Sequence, residues 1–272
     1  MKTLILGAKG MLGTDISLLF PDATQWDLGD VDITNESELE LKVKALNPDV
    51  IINCAAFTDV NAAEEKQEAA NLLNGKALLY IVNAAKKVDA IIVHYSTDYV
   101  FDGKQKLGYA EDAPTNPLNM YGSSKALGEK NLTENYAKFY LLRTAWLFGK
   151  NGKNFISTML DLAKTRDELK VVNDQTGSPT YTKDLAQVTF DLLEKKQPFG
   201  IYHASNDGSC TWYEFAVEIF KQASVDITVN PCTSDEYPSP AQRPKYSILQ
   251  NTKLPKLRTW QKAVQAYLEE TQ

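Results

Sequence analysis

The 272 residues are 43% hydrophobic, enough for one α/β domain with a modest lobe or for two small domains sharing a cleft. A formal net charge of -6, with Lys and Arg scattered among carboxylates, argues against broad binding to nucleic acid or to an anionic membrane. The short apolar start Met1–Leu6 lacks a signal-peptide core, no later run could span a bilayer, and Cys54, Cys210 and Cys232 read as reduced thiols, so a cytoplasmic location is expected.

In chain order, β-branched and apolar runs alternate with segments of helical period. Thr3–Leu6 is predicted as a strand, Met11–Phe20 as a helix and Ala23–Trp26 as a second strand. Asn35–Leu46 is predicted helical, stopped by Asn47-Pro48, and Val50–Asn53 is the next strand. One long helix is predicted over Ala62–Lys87, then strand Ala90–His94, helix Tyr121–Tyr136 and strand Phe139–Arg143. This alternation predicts a Rossmann-type α/β fold, a doubly wound parallel sheet, over residues 1–146. Residues 147–272 are expected to form mainly a smaller C-terminal substrate-binding lobe, with about 182–205 returning to the Rossmann core. There the pattern gives helix Asn154–Arg166, strand Leu169–Val172, a turn-rich Asn173–Pro179, helix Thr182–Lys195 and strand Gly200–His203. Thr211 to Glu214 has capping-box spacing for a helix to Ala223, Asp235–Pro244 is a proline-rich loop, and Leu257–Glu270 is an amphipathic helix.

Gly7-Ala8-Lys9-Gly10-Met11-Leu12-Gly13 follows the first strand and opens the first helix. A tight turn needs Gly7, close approach of a pyrophosphate needs Gly10 bare of Cβ, and Gly13 lets helix and strand pack. The helix N-terminus then offers unpaired N–H groups to phosphates. Asp27, twenty residues after Gly7, can accept from adenosine ribose hydroxyls. An acid there, with no arginine between Gly13 and Asp27, favours NAD over NADP; the plain alternative is a solvated turn residue beside Asp30 and Asp32. Asp32 and Ile33 can flank the adenine. Ala55, Ala56 and Phe57 are small or apolar where the cofactor backbone should pass, although simple loop packing explains them nearly as well.

Tyr121-Gly122-Ser123-Ser124-Lys125 places a phenol and an ammonium at i and i+4 on one helix face. A cation there stabilises phenolate and brings its pKa toward the working pH, as a general acid/base requires. Ser96-Thr97-Asp98 emerges at the carboxyl edge of the predicted sheet, where a hydroxyl can donate to a reacting carbonyl oxygen. With only His94 and His203 available, a histidine metal site or a Ser-His-Asp triad is not expected, and His94 reads as a satisfied core residue.

These motifs, with Val93–Phe101, Pro117–Lys125, Arg143–Trp146, Asn154-Phe155, Asn173–Thr180 and Arg243-Pro244, resemble the extended short-chain dehydrogenase/reductases. More narrowly they resemble the dTDP-4-dehydrorhamnose reductase family, over nearly the whole chain. The resemblance implies reduction of the C4 ketone of dTDP-4-dehydro-β-L-rhamnose to dTDP-β-L-rhamnose, with NADPH or NADH as hydride donor. It implies that Thr97 holds the C4 oxygen, that Tyr121 protonates it, and that Lys125 tunes Tyr121 and binds the nicotinamide ribose. Gly10, Met11 and Leu12 would line the pyrophosphate, and Asp32, Ile33, Ala55, Ala56, Phe57 and Tyr95 the rest of the cofactor. Asp98, Trp146, Asn173 and Arg243 would meet the sugar nucleotide. Related 4,6-dehydratases carry Thr-Asp-Glu; here Tyr99 follows Asp98, so water elimination lacks its glutamate. The alternatives are a reductase of another nucleotide-linked 4-keto-6-deoxy sugar and a non-enzymatic NADP-binding subunit, which would tend to lose the Tyr or Lys retained here. The resemblance also allows magnesium and a homodimer, but no acidic cluster in the sequence matches a metal site.

Overall fold

The computed structural model describes residues 1–271. The first half contains strand β1 (Thr3–Leu6), helix α1 (Met11–Leu19), β2 (Thr24–Trp26), α2 (Glu36–Leu46), β3 (Val50–Asn53), α3 (Val60–Glu65), α4 (Gln67–Ala70) and α5 (Ala77–Val88). It continues with β4 (Ile91–Thr97), α6 (Met120–Asn135) and β5 (Phe139–Thr144). The second half adds β6 (Leu147–Phe148), α7 (Phe155–Ala163), β7 (Glu168–Val172), β8 (Thr176–Gly177), β9 (Thr180–Tyr181) and α8 (Thr182–Glu194). After these come β10 (Gly200–His203), β11 (Cys210–Thr211), α9 (Trp212–Ala223), β12 (Thr228–Cys232) and α10 (Trp260–Thr271).

Six strands form one parallel sheet in the order β10-β5-β4-β3-β1-β2. β1, β3 and β5 are largely apolar and buried, as strands covered on both faces must be. Leu39, Val43, Ile81 and Leu132 from α2, α5 and α6 cover one face, and Leu12, Ile16, Leu185 and Leu192 from α1 and α8 cover the other. The chain leaves β1 toward β2 on one side and returns to β3 on the other. That reversal opens a crevice at the carboxyl edge of the sheet. A second core, built on Phe148, Tyr181, Phe215, Trp260 and Tyr267, belongs to the smaller lobe, whose three strand pairs are β7–β12, β8–β11 and β6–β9.

Three local features differ from the sequence-based expectation. The helix predicted over Ala62–Lys87 is broken at Lys66, whose backbone (φ -108°, ψ 46°) is not helical, and it contains a π-helical turn at Asn71–Lys76. The wider turn frees Asn74, whose side chain clasps the backbone of Phe57 through both its N–H and its C=O and also donates to Ser124 Oγ. β12 has no alternating pattern and includes Pro231, yet it pairs in parallel with β7 at the edge of the small lobe. β4 runs on through Thr97, which makes the hydroxyl-bearing residues part of the sheet rather than of the loop after it.

α6 is capped by Asn119, which accepts from the Gly122 N–H at 2.8 Å. Its first turn presses on the short 3₁₀ turn Asp98–Val100 so closely that a Cβ on Gly122 would lie 2.1 Å from the Tyr99 carbonyl oxygen. Because the obstacle is backbone, Gly122→Ala is expected to destabilise the fold by about 1–3 kcal/mol. Urea unfolding measures this, and an unchanged midpoint would contradict the packing described.

Candidate active site

One cavity of about 700 Å³ occupies the crevice, running from the end of β2 past the glycine turn to the N-terminus of α6. At one end, the Gly10 N-cap of α1 has no side-chain capping bond, so the N–H groups of the first turn stand unpaired beside Met11 and Leu12. Gly7 adopts φ +73°, and a Cβ on Gly13 would fall 2.1 Å from the Gly7 carbonyl oxygen. The turn and the helix start can therefore hold a pyrophosphate only as this glycine sequence. Asp27 accepts from the Lys9 N–H at 2.9 Å with one oxygen and from the Leu28 N–H at 3.0 Å with the other, fastening the glycine turn to the end of β2. Asp32 bends back onto Thr34, and with Ile33, Ala55 and Ala56 it lines the same wall. These features fit a dinucleotide.

At the other end stand Tyr95, Ser96, Thr97 and Asp98 from β4 and its turn, Tyr121 and Lys125 from α6, and Trp146 after β5. Lys125, only 3% exposed, donates to the Tyr95 carbonyl at 2.6 Å. Burial pushes its pKa down to about 8, against the opposing pull of Glu129 and Cys54. Thr97 donates to Asp98 Oδ1 at 2.9 Å and accepts from the Tyr99 N–H. Asp98, 2% exposed, leaves Oδ2 without a hydrogen-bond partner. Burial raises its pKa to about 7, opposed first by the hydroxyls of Ser247 and Thr97. The Tyr121 phenol is likewise pushed up by burial, with Asp98 and Tyr99 adding to the rise and the Thr97 hydroxyl opposing it. The expected lowering of Tyr121 by Lys125 is therefore not found here: the ammonium is committed to a backbone carbonyl, and the phenol stays protonated.

Trp146 is held at φ +47°, an uncommon conformation for a bulky residue. Its indole stacks on Trp212 at 3.5 Å and 7°, and Gly177 is so close that a Cβ there would strike the ring. Three expected site residues stand outside the cavity lining. Phe57 is held by Asn74. Asn173 accepts from the Thr211 hydroxyl at 2.7 Å, joining β7 to the cap of α9. Arg243 donates to the Tyr99 hydroxyl at 3.1 Å, one ring behind Tyr121, with which Tyr99 makes an edge-on contact. His94 is buried and neutral, burial holding its pKa low. Its Nδ1 takes the Asn53 amide, but Nε2 has no partner, so it is only half satisfied. Conversely, Lys153 lines the cavity without any sequence motif to mark it, and so does Thr144, the last residue of β5, which the Arg143–Trp146 resemblance covers without giving it a role. Among the described residues, no three His, Cys, Asp or Glu side chains gather as a metal site, and no helix is long and apolar enough to cross a membrane.

Asp98 is the costly member of this group. Its folded-state pKa lies above the unfolded value, so the fold holds an extra proton between about pH 4 and 7 and loses stability as pH rises through that window. Asp98→Asn is expected to raise stability at pH 8 by on the order of 2–4 kcal/mol and to gain little at pH 4. Chemical unfolding at the two pH values checks this, and an equal effect at both would contradict it.

Comparison with known proteins finds similarity over the full length. The family described as RmlD substrate binding domain matches residues 1–272. The dTDP-4-dehydrorhamnose reductase of Aggregatibacter actinomycetemcomitans is 39% identical over 98% of this chain and 99% of its own. Among solved structures, a dTDP-4-dehydrorhamnose reductase from Clostridium acetobutylicum is 42% identical with a TM-score of 0.96, covering 99% of both chains. One from Bacillus anthracis, in complex with NADP, is 39% identical with a TM-score of 0.96 over 100% of both. With its glycine turn, its Thr97–Asp98 edge and its Tyr121–Lys125 helix in one crevice, the chain belongs to the RmlD substrate binding domain family.

Proposed function

We propose that this protein is an NAD(P)H-dependent reductase that converts dTDP-4-dehydro-β-L-rhamnose to dTDP-β-L-rhamnose. The observation that carries the reading is one continuous cavity with an uncapped helix N-terminus at one end and Thr97, Tyr121 and Lys125 at the other. Its relatives' names and the NADP complex of the Bacillus anthracis enzyme support it. When bound, the nicotinamide cofactor supplies the hydride. The first turn of α1 would hold its pyrophosphate and Asp27 would stand at its adenosine ribose, as it would for NADH.

The chain's own contribution is proton supply and orientation. A C4 ketone becomes an alkoxide as hydride arrives, so the site must donate hydrogen bonds and then a proton. Tyr121, kept protonated by burial, is the acid, and its proton passes to the C4 oxygen; the Thr97 hydroxyl, whose one hydrogen lies on Asp98 Oδ1 here, would turn from it to donate to that oxygen. Lys125, on the same face of α6, supplies positive charge as tyrosinate forms. Trp146 gives the sugar a flat apolar wall, and Asp98 accepts from a sugar hydroxyl through its unpartnered Oδ2. Asn173 and Arg243 lie behind this layer, and their contribution is to hold the loops that shape the sugar-nucleotide end.

Tyr121→Phe should lower turnover about 10²- to 10⁴-fold while leaving dinucleotide affinity nearly unchanged, because only the proton donor is lost. NAD(P)H absorbance with dTDP-4-dehydrorhamnose measures the rate and fluorescence titration the affinity; near-normal turnover would sink the assignment. The same absorbance assay with UDP- and GDP-linked 4-keto-6-deoxy sugars tests the nucleotide. A clear preference for the dTDP sugar is expected, and equal rates with all three would reject a dTDP-dedicated pocket.

A further inference from the structure

Behind the site lies a buried charged cluster that the proton-transfer scheme does not use. Glu129, one helical turn beyond Lys125 on α6, receives Arg143 from β5 through two hydrogen bonds, Nε to Oε1 at 2.9 Å and Nη2 to Oε2 at 2.7 Å. Arg143 also donates through Nη1 to the Glu111 carbonyl at 3.1 Å, faces His203 Nε2 at 3.4 Å, and stacks over the Phe101 ring. Glu111 in turn accepts from the Thr252 N–H and hydroxyl. All these charged side chains are at least nine-tenths buried, and Arg143 stands opposite Ser96 in the register of β4 and β5.

We propose that the Glu129–Arg143 pair is a positioning device that keeps Lys125 charged and its ammonium on the Tyr95 carbonyl, out of a direct ion pair with Glu129. The inference rests on the role given above to Lys125. The groups that face Lys125 are Tyr121 and Glu129 from α6, Cys54 after β3, and His94 with the Tyr95 carbonyl from β4. Burial keeps the Cys54 thiol and the Tyr121 phenol protonated and the His94 ring neutral. Among the described residues, Glu129 is thus the one carboxylate that offsets the buried ammonium. A glutamate at i+4 on a helix is also well placed to capture a lysine outright. Arg143 prevents that: its planar fork engages both carboxylate oxygens, so the charge acts on Lys125 through space while Nζ points at the Tyr95 carbonyl. Arg143 is itself fixed from three other elements, so the carboxylate has a rigid backing.

The test follows the Lys125 side chain directly, in protein labelled with 13Cε-lysine and free of cofactor, with its signal identified by its absence in Lys125→Met. Glu129→Gln should lower the titration midpoint by about one pH unit or more. Arg143→Met should raise it, because the released Glu129 can then pair with Lys125 directly. If either single variant fails to fold, the double variant Glu129→Leu/Arg143→Met leaves no lone buried charge and should still lower the midpoint. In the reductase assay, the alkaline limb of the kcat/KM profile should move to lower pH in Glu129→Gln, by the same amount as the midpoint. A pair that only supports the fold would change thermal stability and leave midpoint and limb in place. An unmoved midpoint in Glu129→Gln or in the double variant, or a lowered one in Arg143→Met, would overturn the proposal. If the unaltered protein reduced none of the nucleotide sugars, the functional reading would fall, while the titration would still decide the role of the pair.

Discussion

A lysine ammonium with 3% exposure is among the more expensive groups a fold can hold, since burial disfavours its charged form. Here the ammonium makes one hydrogen bond, to the backbone carbonyl of Tyr95, and the geometry of the chemical end of the cavity follows from this bond. β4 must bring the Tyr95 carbonyl, two residues before its end, up to α6, and α6 must lie close enough for a side chain to reach across. The missing side chain of Gly122 allows that approach, and the Asn119 cap fixes where the helix begins. Tyr121 and Thr97 are then brought together because each sits beside one end of this contact. The same burial that makes Lys125 costly keeps the phenol protonated, which is the state a reductase needs at the start of turnover.

The dinucleotide end obeys a different constraint. The groups it offers are backbone N–H donors of α1, so what it needs is absent side chains and a rigid turn rather than a particular functional group. Asp27 serves that rigidity: both of its oxygens accept backbone N–H groups, one of them from the glycine turn. Its place at the end of β2 also puts it on the cavity wall. The plain reading as a turn residue and the reading as a ribose ligand are therefore compatible, because a carboxylate oxygen can accept more than one hydrogen bond.

The smaller lobe supplies shape. Trp146 is clamped between Trp212 and Gly177 and held in a left-handed backbone conformation, so its indole is an oriented surface and not a mobile side chain. The segment around Arg243 crosses behind Tyr99 and the start of α6, with the Asn119 side chain donating to the Gln242 carbonyl at 2.8 Å. Residues far apart in sequence thereby reinforce the helix that carries Tyr121.

Much of this was legible in the chain itself. Apolar runs of strand length separated by helical periods specify a parallel sheet, and Gly7–Gly13, Thr97-Asp98 and Tyr121–Lys125 mark its two functional ends, because turn geometry, i to i+4 spacing and position at a strand end are local properties. What local pattern does not encode is which distant groups meet. The break at Lys66 and the π-helical turn lie against α6, and β12 pairs with β7, contacts that local pattern does not encode. The resemblance groups Asn173 and Arg243 with the substrate-binding residues, yet neither lines the cavity; they are tied to Thr211 and Tyr99. Glu129 and Arg143 look in sequence like two ordinary charges. Only the fold buries them together beside Lys125, since the cost of a buried charge depends on neighbours supplied by other elements. The sequence by itself determined the sheet, the glycine turn and the tyrosine–lysine pair; the tertiary structure alone decided the electrostatic surroundings in which that pair must work.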